Sequence, residues 1–286
     1  MITYPHPNVV CLRAPNPSPM TFTGTNTYIV GGDHCVVIDP GPDNDAHLSA
    51  ILDQLAGRSP SHIILTHSHI DHSALVPRLK QATGAAVVAF GDSRAGRSAA
   101  MLTLIEAGLT GGGEGIDTAF CPDITVEDGE TIGDLTVIHT PGHMGNHICL
   151  KFGDVIFSGD HVMDWATSIV SPPDGDLTDF MASCEKLLDI PATLYLAGHG
   201  DPVRAPHDRL RWLIEHRRQR EAQILSALDD GPATVAQLTK RIYTDIAPAL
   251  WPAAERNVLA HLIDLQGKNR VQPQDQLAPT SQFRRL

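Results

Sequence analysis

Up to about residue 200 the chain alternates short apolar runs with turn residues; beyond it, apolar positions fall three and four apart. Runs at 9–13, 27–30, 35–38, 61–65 and 85–90 are apolar and mostly rich in Val and Ile, which predicts strands. Gly31-Gly32-Asp33 closes 27–30 and 35–38 into a hairpin, and Asp39-Pro40-Gly41 turns the chain after it. Leu48, Ile51, Leu52 and Leu55 share one helical face and predict a helix over 45–55. Further helices are expected at 73–82 and 177–188. Short strands are expected at 124–126, 131–132, 135–139, 148–152 and 155–157, with a last one at 193–197. The stretch 108–115 is too glycine-rich for regular structure and reads as a linker or as a flap over a site. Two similar halves, each burying a sheet face under helices, predict an α/β protein built as a four-layer αββα sandwich.

The last third reads differently. Helices are expected at 206–228, 234–243 and 253–265, with a small wing at 270–272, which makes a winged-helix-like unit. The expected division is therefore 1–205 and 206–286. The third of these helices carries Arg256 as its single arginine and is mostly apolar, unlike a helix that reads a DNA groove. It reads as a wall packed beside a cleft, or as the surface of a homodimer. The long helix carries Arg209, Arg211, Arg217, Arg218 and Arg220. These form a solvated face or an anchor for phosphate or carboxylate.

Charge supports the division. The chain of 286 residues has a formal net charge of -12, of which residues 1–206 carry -15 and residues 207–286 carry +3. An acidic first part does not suit a polyanion-binding surface. The five cysteines are odd in number and widely spaced, as expected for free thiols in a reducing compartment. The first residues lack a basic and apolar leader pattern, and no apolar run reaches membrane-spanning length. The cytoplasm is the expected location, with no membrane partner.

The chemistry concentrates in Leu65-Thr66-His67-Ser68-His69-Ile70-Asp71-His72, between a predicted strand and a predicted helix. Open α/β sheets place their sites at such strand ends. His67 and His69 alternate on an extended backbone and turn toward one point. Asp71 and His72 lie where coiling begins and reach a second. Imidazole and carboxylate suit zinc, with iron or manganese as alternatives. Two histidines at this spacing alone would read as a solvated His-rich loop before a helix; the full six-residue pattern with further His and Asp does not. Three later strands also end in a ligand-capable residue: His143 after Gly142, Asp160 after Gly159, and His199 after Gly198. If they converge, His67, His69 and His143 would hold one ion, Asp71, His72 and His199 a second, and Asp160 would bridge. Asp39 is a candidate buttress for the His67 loop. His147, His161 and Arg217 are candidates to face a substrate.

The pattern His67-x-His69-x-Asp71-His72, followed by His143, Asp160 and His199, resembles the metallo-β-lactamase superfamily over about residues 20–204. The resemblance implies the αββα sandwich and a dinuclear zinc site. The ligand set is similar to that of glyoxalase II and related hydrolases. True lactamases commonly have cysteine where Asp160 stands, and flavodiiron oxidoreductases usually have glutamate where His69 stands. Gly24-Thr25-Asn26-Thr27-Tyr28, the Asp39-Pro40-Gly41 turn and the segment starting at His216-Arg217 resemble a lactamase-β-like branch that includes single-strand endoribonucleases and carries a winged helix. Met144 departs from the Thr or Ser that often follows the third ligand.

These readings imply a metal-dependent hydrolase in which a hydroxide bridging two zinc ions attacks an ester, thioester or similar bond of a small substrate, with Asp71 orienting it. The competing expectation is a nuclease for single-stranded RNA, which needs a basic, aromatic-lined track to the metals. A non-catalytic binding protein would have lost ligands, and none is lost.

Overall fold

Strand alternation sets the layers. The computed structural model describes residues 1–111, 115–275, 277–278 and 280–286, and the backbone alone of Pro248. One sheet orders seven strands as the chain runs: β1 (Ile2–His6), β2 (Val9–Arg13), β3 (Asn26–Val30), β4 (Val36–Ile38), β5 (His62–Ile64), β6 (Ala86–Ala89) and β7 (Ile124–Thr125). Pairing is antiparallel from β1 to β4 and parallel from β4 to β7. The second sheet is built from β8 (Thr131–Ile132), β9 (Leu135–His139), β10 (Ile148–Phe152), β11 (Val155–Gly159) and β12 (Leu194–Ala197), laid in reverse order. Only β11 and β12 pair in parallel there.

Tyr28, Ile38, Ile64 and Val88 face inward and pack on Val137, Leu150, Phe157 and Leu196 of the second sheet. Their neighbours Ile29, Val37, Ile63 and Val87 face outward. They meet Ile51 and Leu55 of α1 (Asp45–Leu55) and, past the one-turn α2 (Ile70–Ser73), Leu79 of α3 (Val76–Thr83). On the far side, Cys149, Ile156 and Tyr195 pack on α5 and α6, which follow α4 (Ala99–Glu106) and span Leu177–Leu188 and Pro206–Asp229. The result is the expected αββα sandwich. Each fully buried Leu, Ile or Phe in it contributes roughly 1.5–3 kcal/mol relative to exposure.

The expected helix over 73–82 is two pieces, because Pro77 has no N–H to continue a helix and instead occupies the first turn of α3. Strand β1 was not expected: it is an exposed edge held by its ladder to β2, so no apolar pattern announces it. Helix α4 was not expected either. It is capped by Ser98, whose Oγ accepts from Met101 N at 3.3 Å.

A third core joins α7 (Val235–Ile242), α8 (Trp251–Gly267) and a small sheet of β13 (Ala233–Thr234), β14 (Val271–Pro273) and β15 (Gln282–Arg285). Thr234 caps α7 in a reciprocal box with Gln237. Helix α6 serves two cores: Leu210, Leu213 and Ile214 pack on the sandwich, while Ile224, Leu225 and Leu228 pack in the third core. The long helix therefore starts just after the expected division at residue 205 and packs on both sides of it.

In the expected linker, Gly112, Gly113 and Glu114 lie outside the described residues. Immediately after them the chain returns to the histidine loop: Ile70 N donates to Gly115 O at 3.1 Å and Asp117 N to Ser68 O at 2.9 Å. Among the described residues, no helix is long and apolar enough to cross a membrane.

Candidate metal centre

All seven residues with ligand chemistry lie at strand ends along one edge of the sandwich. His67, His69, Asp71 and His72 follow β5; His143 follows β9, Asp160 follows β11 and His199 follows β12. Each is buried. His67 Nε2 and His143 Nε2 each stand 3.0 Å from His69 Nδ1. Close by, His72 Nε2 and His199 Nε2 are 3.4 Å apart, and Asp71 Oδ2 lies 3.4 and 3.2 Å from them. Asp160 stands between the two sets. Its Oδ2 is 3.9 Å from His67, 3.7 Å from His143 and 3.2 Å from His199, and its Oδ1 is 3.5 Å from His72.

The approach is close enough to specify a glycine. A Cβ on Gly198 would stand 2.2 Å from Asp160 Oδ1 and 2.7 Å from His72 Cε1, so any side chain there displaces both.

Outer contacts fix which nitrogen faces inward. Asp39 accepts from Thr66 N at 2.8 Å and from Thr66 Oγ1 at 2.7 Å, and from His72 Nδ1 at 3.0 Å. Because Thr66 Oγ1 spends its proton on Asp39, it accepts from His67 Nδ1 at 3.0 Å. His143 Nδ1 donates to Ile169 O at 2.7 Å. His67, His72 and His143 therefore each turn Nε2 to the site, the orientation that metal-binding imidazoles require.

The electrostatics divide the two sets. Burial, followed by mutual repulsion with neighbouring imidazoles, pushes His67 well down and His69 down to about 3, and burial lowers His143. Burial also opposes charge on His199 and His72, yet carboxylates prevail. Asp160 and Asp71 push His199 up to about 9; Asp71, Asp160 and Asp39 hold His72 well above its ordinary value.

A divalent ion fits these residues. Tetrahedral ligands about 2.1 Å from one ion stand about 3.4 Å apart, close to the spacings found. Three groups have donor atoms that converge enough to hold an ion: His67, His69 and His143; His67, His72 and Asp160; Asp71, His72 and His199. Asp160 Oδ1 is buried and accepts no hydrogen bond among the described residues.

A cavity of about 410 Å³ opens above this floor. Its roof comes from the 163–171 loop and the C-terminal part: Trp165, Ile169, Tyr243, Ile246 and Ala254 among them. The third C-terminal helix thus walls the cleft.

His147 does not face the substrate side. It is fully buried behind the floor, where Nδ1 donates to Thr140 Oγ1 at 2.9 Å and Nε2 accepts from Asp160 N at 3.2 Å. It orients the Asp160 loop. His161 is also buried, 3.4 Å from Cys184 Sγ and against Phe180. Arg217 does line the cavity but is not on a solvated face: it donates to Asn257 Oδ1 at 3.1 Å and to Ser168 O. Thr25 was missed as a contact. Its Oγ1 donates to Asp71 Oδ2 at 3.1 Å, and its position in the Gly24–Tyr28 run was the available signal. The roof residues Trp165 and Tyr243 carried no signal at all.

Residues 20–199 match the model of the metallo-beta-lactamase superfamily, and residues 234–278 match that of the beta-lactamase associated winged helix domain. A beta-lactamase-like protein 2 homolog from Drosophila melanogaster is 33% identical, with 92% of this chain and 90% of the relative covered. An atrochrysone carboxyl ACP thioesterase from Claviceps purpurea is 30% identical over 83% of this chain and 72% of its own length. Among solved structures, a metallo-beta-lactamase family protein from Thermus thermophilus superposes with a TM-score of 0.76 at 25% identity, covering 98% of this chain and 99% of that one. With the winged helix attached and the histidine and aspartate positions converging at the edge of the sandwich, the chain belongs to the metallo-beta-lactamase superfamily as one of its hydrolases.

Proposed function

We propose that the protein hydrolyses a thioester, or a similarly activated ester, of a small acyl substrate. The observation that carries this reading is the cleft itself: an imidazole and carboxylate floor under a mostly apolar roof. An acyl chain lies against Trp165, Ile169, Tyr243 and Ile246 with its carbonyl on the floor. Two divalent ions, zinc first by ligand chemistry, would be held by His67, His69 and His143 and by Asp71, His72 and His199, with Asp160 shared. Such ions supply a Lewis acid and make a bound water acidic near neutral pH.

The chain's own residues do the rest. Asp39 and Thr66 lock the His67 and His72 rings; Ile169 O locks His143. Asp71, held by Thr25 Oγ1, is positioned to orient the attacking water. A thiolate leaves without a proton, since thiol pKa values lie near 8.5. A ribose oxygen needs one. The roof also disfavours a long polyanion. Arg211 and Arg218 are paired with Asp208 and Glu185, and Arg209 donates to the carbonyls of Met163 and Ala166. No continuous basic track remains among the described residues. The thioesterase named among the relatives supports the same reading.

The test measures thiol release from butyryl-N-acetylcysteamine by protein loaded with zinc, manganese or iron, beside labelled single-stranded RNA. Chelator-sensitive thiol release is expected. RNA cleavage that disappears with chelator, together with an inert thioester, would replace this reading with the nuclease.

A further inference from the structure

Two charges in the cleft wall have no counter-ion among the described residues. Arg217 is 3% exposed, and no carboxylate lies within ion-pair distance of it among the described residues. Its Nη atoms reach only neutral acceptors, Asn257 Oδ1 and Ser168 O, and its Nε has no acceptor. Arg220, one turn on, also lines the cavity, and its buried Nε likewise has no acceptor. Its guanidinium lies over the Tyr243 ring, 4.0 Å from the centroid, and its Nη1 donates to the neutral Gln223 Oε1 at 2.8 Å, so it too reaches no counter-charge among the described residues. Arg97, elsewhere near the cleft, differs in charge pairing: its Nε also has no acceptor, but its Nη2 is paired with Asp174 at 3.1 Å. Burying a guanidinium without a counter-charge is costly, and leaving its donors unmatched adds to the cost. Arg217 and Arg220 sit in the wall of the same cavity whose floor is the histidine and aspartate cluster.

We infer that the missing counter-ion belongs to the substrate: the acyl compound carries an oxyanion, a carboxylate or phosphate remote from the scissile bond, which docks on Arg217 and Arg220. This rests on the hydrolase reading above and narrows its substrate class. Guanidinium matches either oxyanion by paired N–H donors. Two cations inside a pocket suit one terminal anion; they do not extend into a track for a polymer.

The test uses the full, metal-loaded chain and two matched pairs. Butyryl- and succinyl-N-acetylcysteamine differ by a carboxylate on the acyl side. Butyryl-pantetheine and butyryl-phosphopantetheine differ by a phosphate on the thiol side. One anionic member is expected to exceed its neutral match in kcat/KM at least about tenfold, mainly through KM. Arg220→Gln is expected to bring that ratio to within about twofold of one. Equal kcat/KM in both pairs overturns the inference, as does a preference that survives Arg220→Gln. Binding is also read without turnover, as the rise in Tm caused by succinate or inorganic phosphate. If no thioester is cleaved, the hydrolase reading falls by itself. A Tm rise confined to the unsubstituted chain then upholds the anion site, and an equal rise in Arg220→Gln overturns it.

Discussion

The floor and the roof of one cleft are built by opposite means. On the floor, seven polar side chains from the ends of four strands converge, and most are held from behind by another named group: Asp39, Thr66, Thr25, His147 or Ile169 O. On the roof, Trp165, Ile169, Tyr243 and Ile246 come from a loop and an appended domain; Trp165 stacks on Phe22 with no acceptor for its ring N–H, and Tyr243 lies under the Arg220 guanidinium. Chemistry at a metal needs donors fixed in angle as well as position, and hydrogen bonds from rigid strands supply both. Recognition of an acyl chain needs area and shape, which tolerate looser control. Floor and roof substitutions should therefore fail in different kinetic constants.

The largest effects belong to the floor. Asp71→Ala and His143→Ala are each expected to lower kcat/KM at least about a thousandfold, with circular dichroism unchanged and bound metal reduced by elemental analysis. Near-normal turnover in Asp71→Ala would remove the two-ion mechanism. Asp39→Asn touches no candidate ion and loses only its grip on Thr66 and His72. It is expected to cost about ten- to a hundredfold in metal affinity or activity, measured by chelator competition. An effect below about twofold would mean that the strand ends alone fix the rings.

The same contrast explains what was legible from sequence. The floor is chemistry written in residue types, and ligand residues after strands can be recognised one by one: His67, His69, Asp71, His72, His143, Asp160 and His199 all reach one place. Their direction is less legible. His147 has the right type and loop position, yet it faces Thr140 and the Asp160 backbone, because the β9–β10 turn carries it behind the floor. The roof is not legible, since Trp165 and Tyr243 look like any buried aromatic until two domains are placed together. Sandwich strands announced themselves as short apolar runs bounded by turns, whereas β1 did not, because an exposed edge is held by backbone bonds that leave no apolar signature. The domain division was blurred by α6, whose single helical period feeds two cores.

Roof substitutions should be milder and of a different kind. Tyr243→Ala removes an aromatic wall and the ring under Arg220. For a thioester with an apolar acyl chain, KM is expected to rise several-fold, about 1 kcal/mol of binding, while kcat stays within about twofold. A fall in kcat with KM unchanged would place Tyr243 in the chemistry and dissolve the distinction between the two surfaces.

The smallest effects, and the most discriminating, concern two buried histidines outside the cleft. His47 lies behind the floor, where its Nε2 meets Thr27 Oγ1 at 2.8 Å, and burial pushes it down to about 4. His261 lies behind the roof, burial holds it well below its ordinary value, and neither ring nitrogen has a partner among the described residues. Both are neutral in the native state and titrate near 6.5 when unfolded. The unfolded chain then binds more protons below that pH, so each contributes stability that is complete above about 6.5 and is lost as pH falls toward its native pKa. Leucine in either place should flatten Tm against pH between 6.5 and 4. At pH 7.5 the signs should part. His47→Leu strands the Thr27 hydroxyl and should destabilise by about 1–3 kcal/mol; His261→Leu removes an unsatisfied buried ring and should be neutral or stabilising by about 1 kcal/mol. Denaturant melts of the two variants decide it. Destabilisation by His261→Leu as large as that by His47→Leu would show that the roof, like the floor, is held by polar contacts and not by packing.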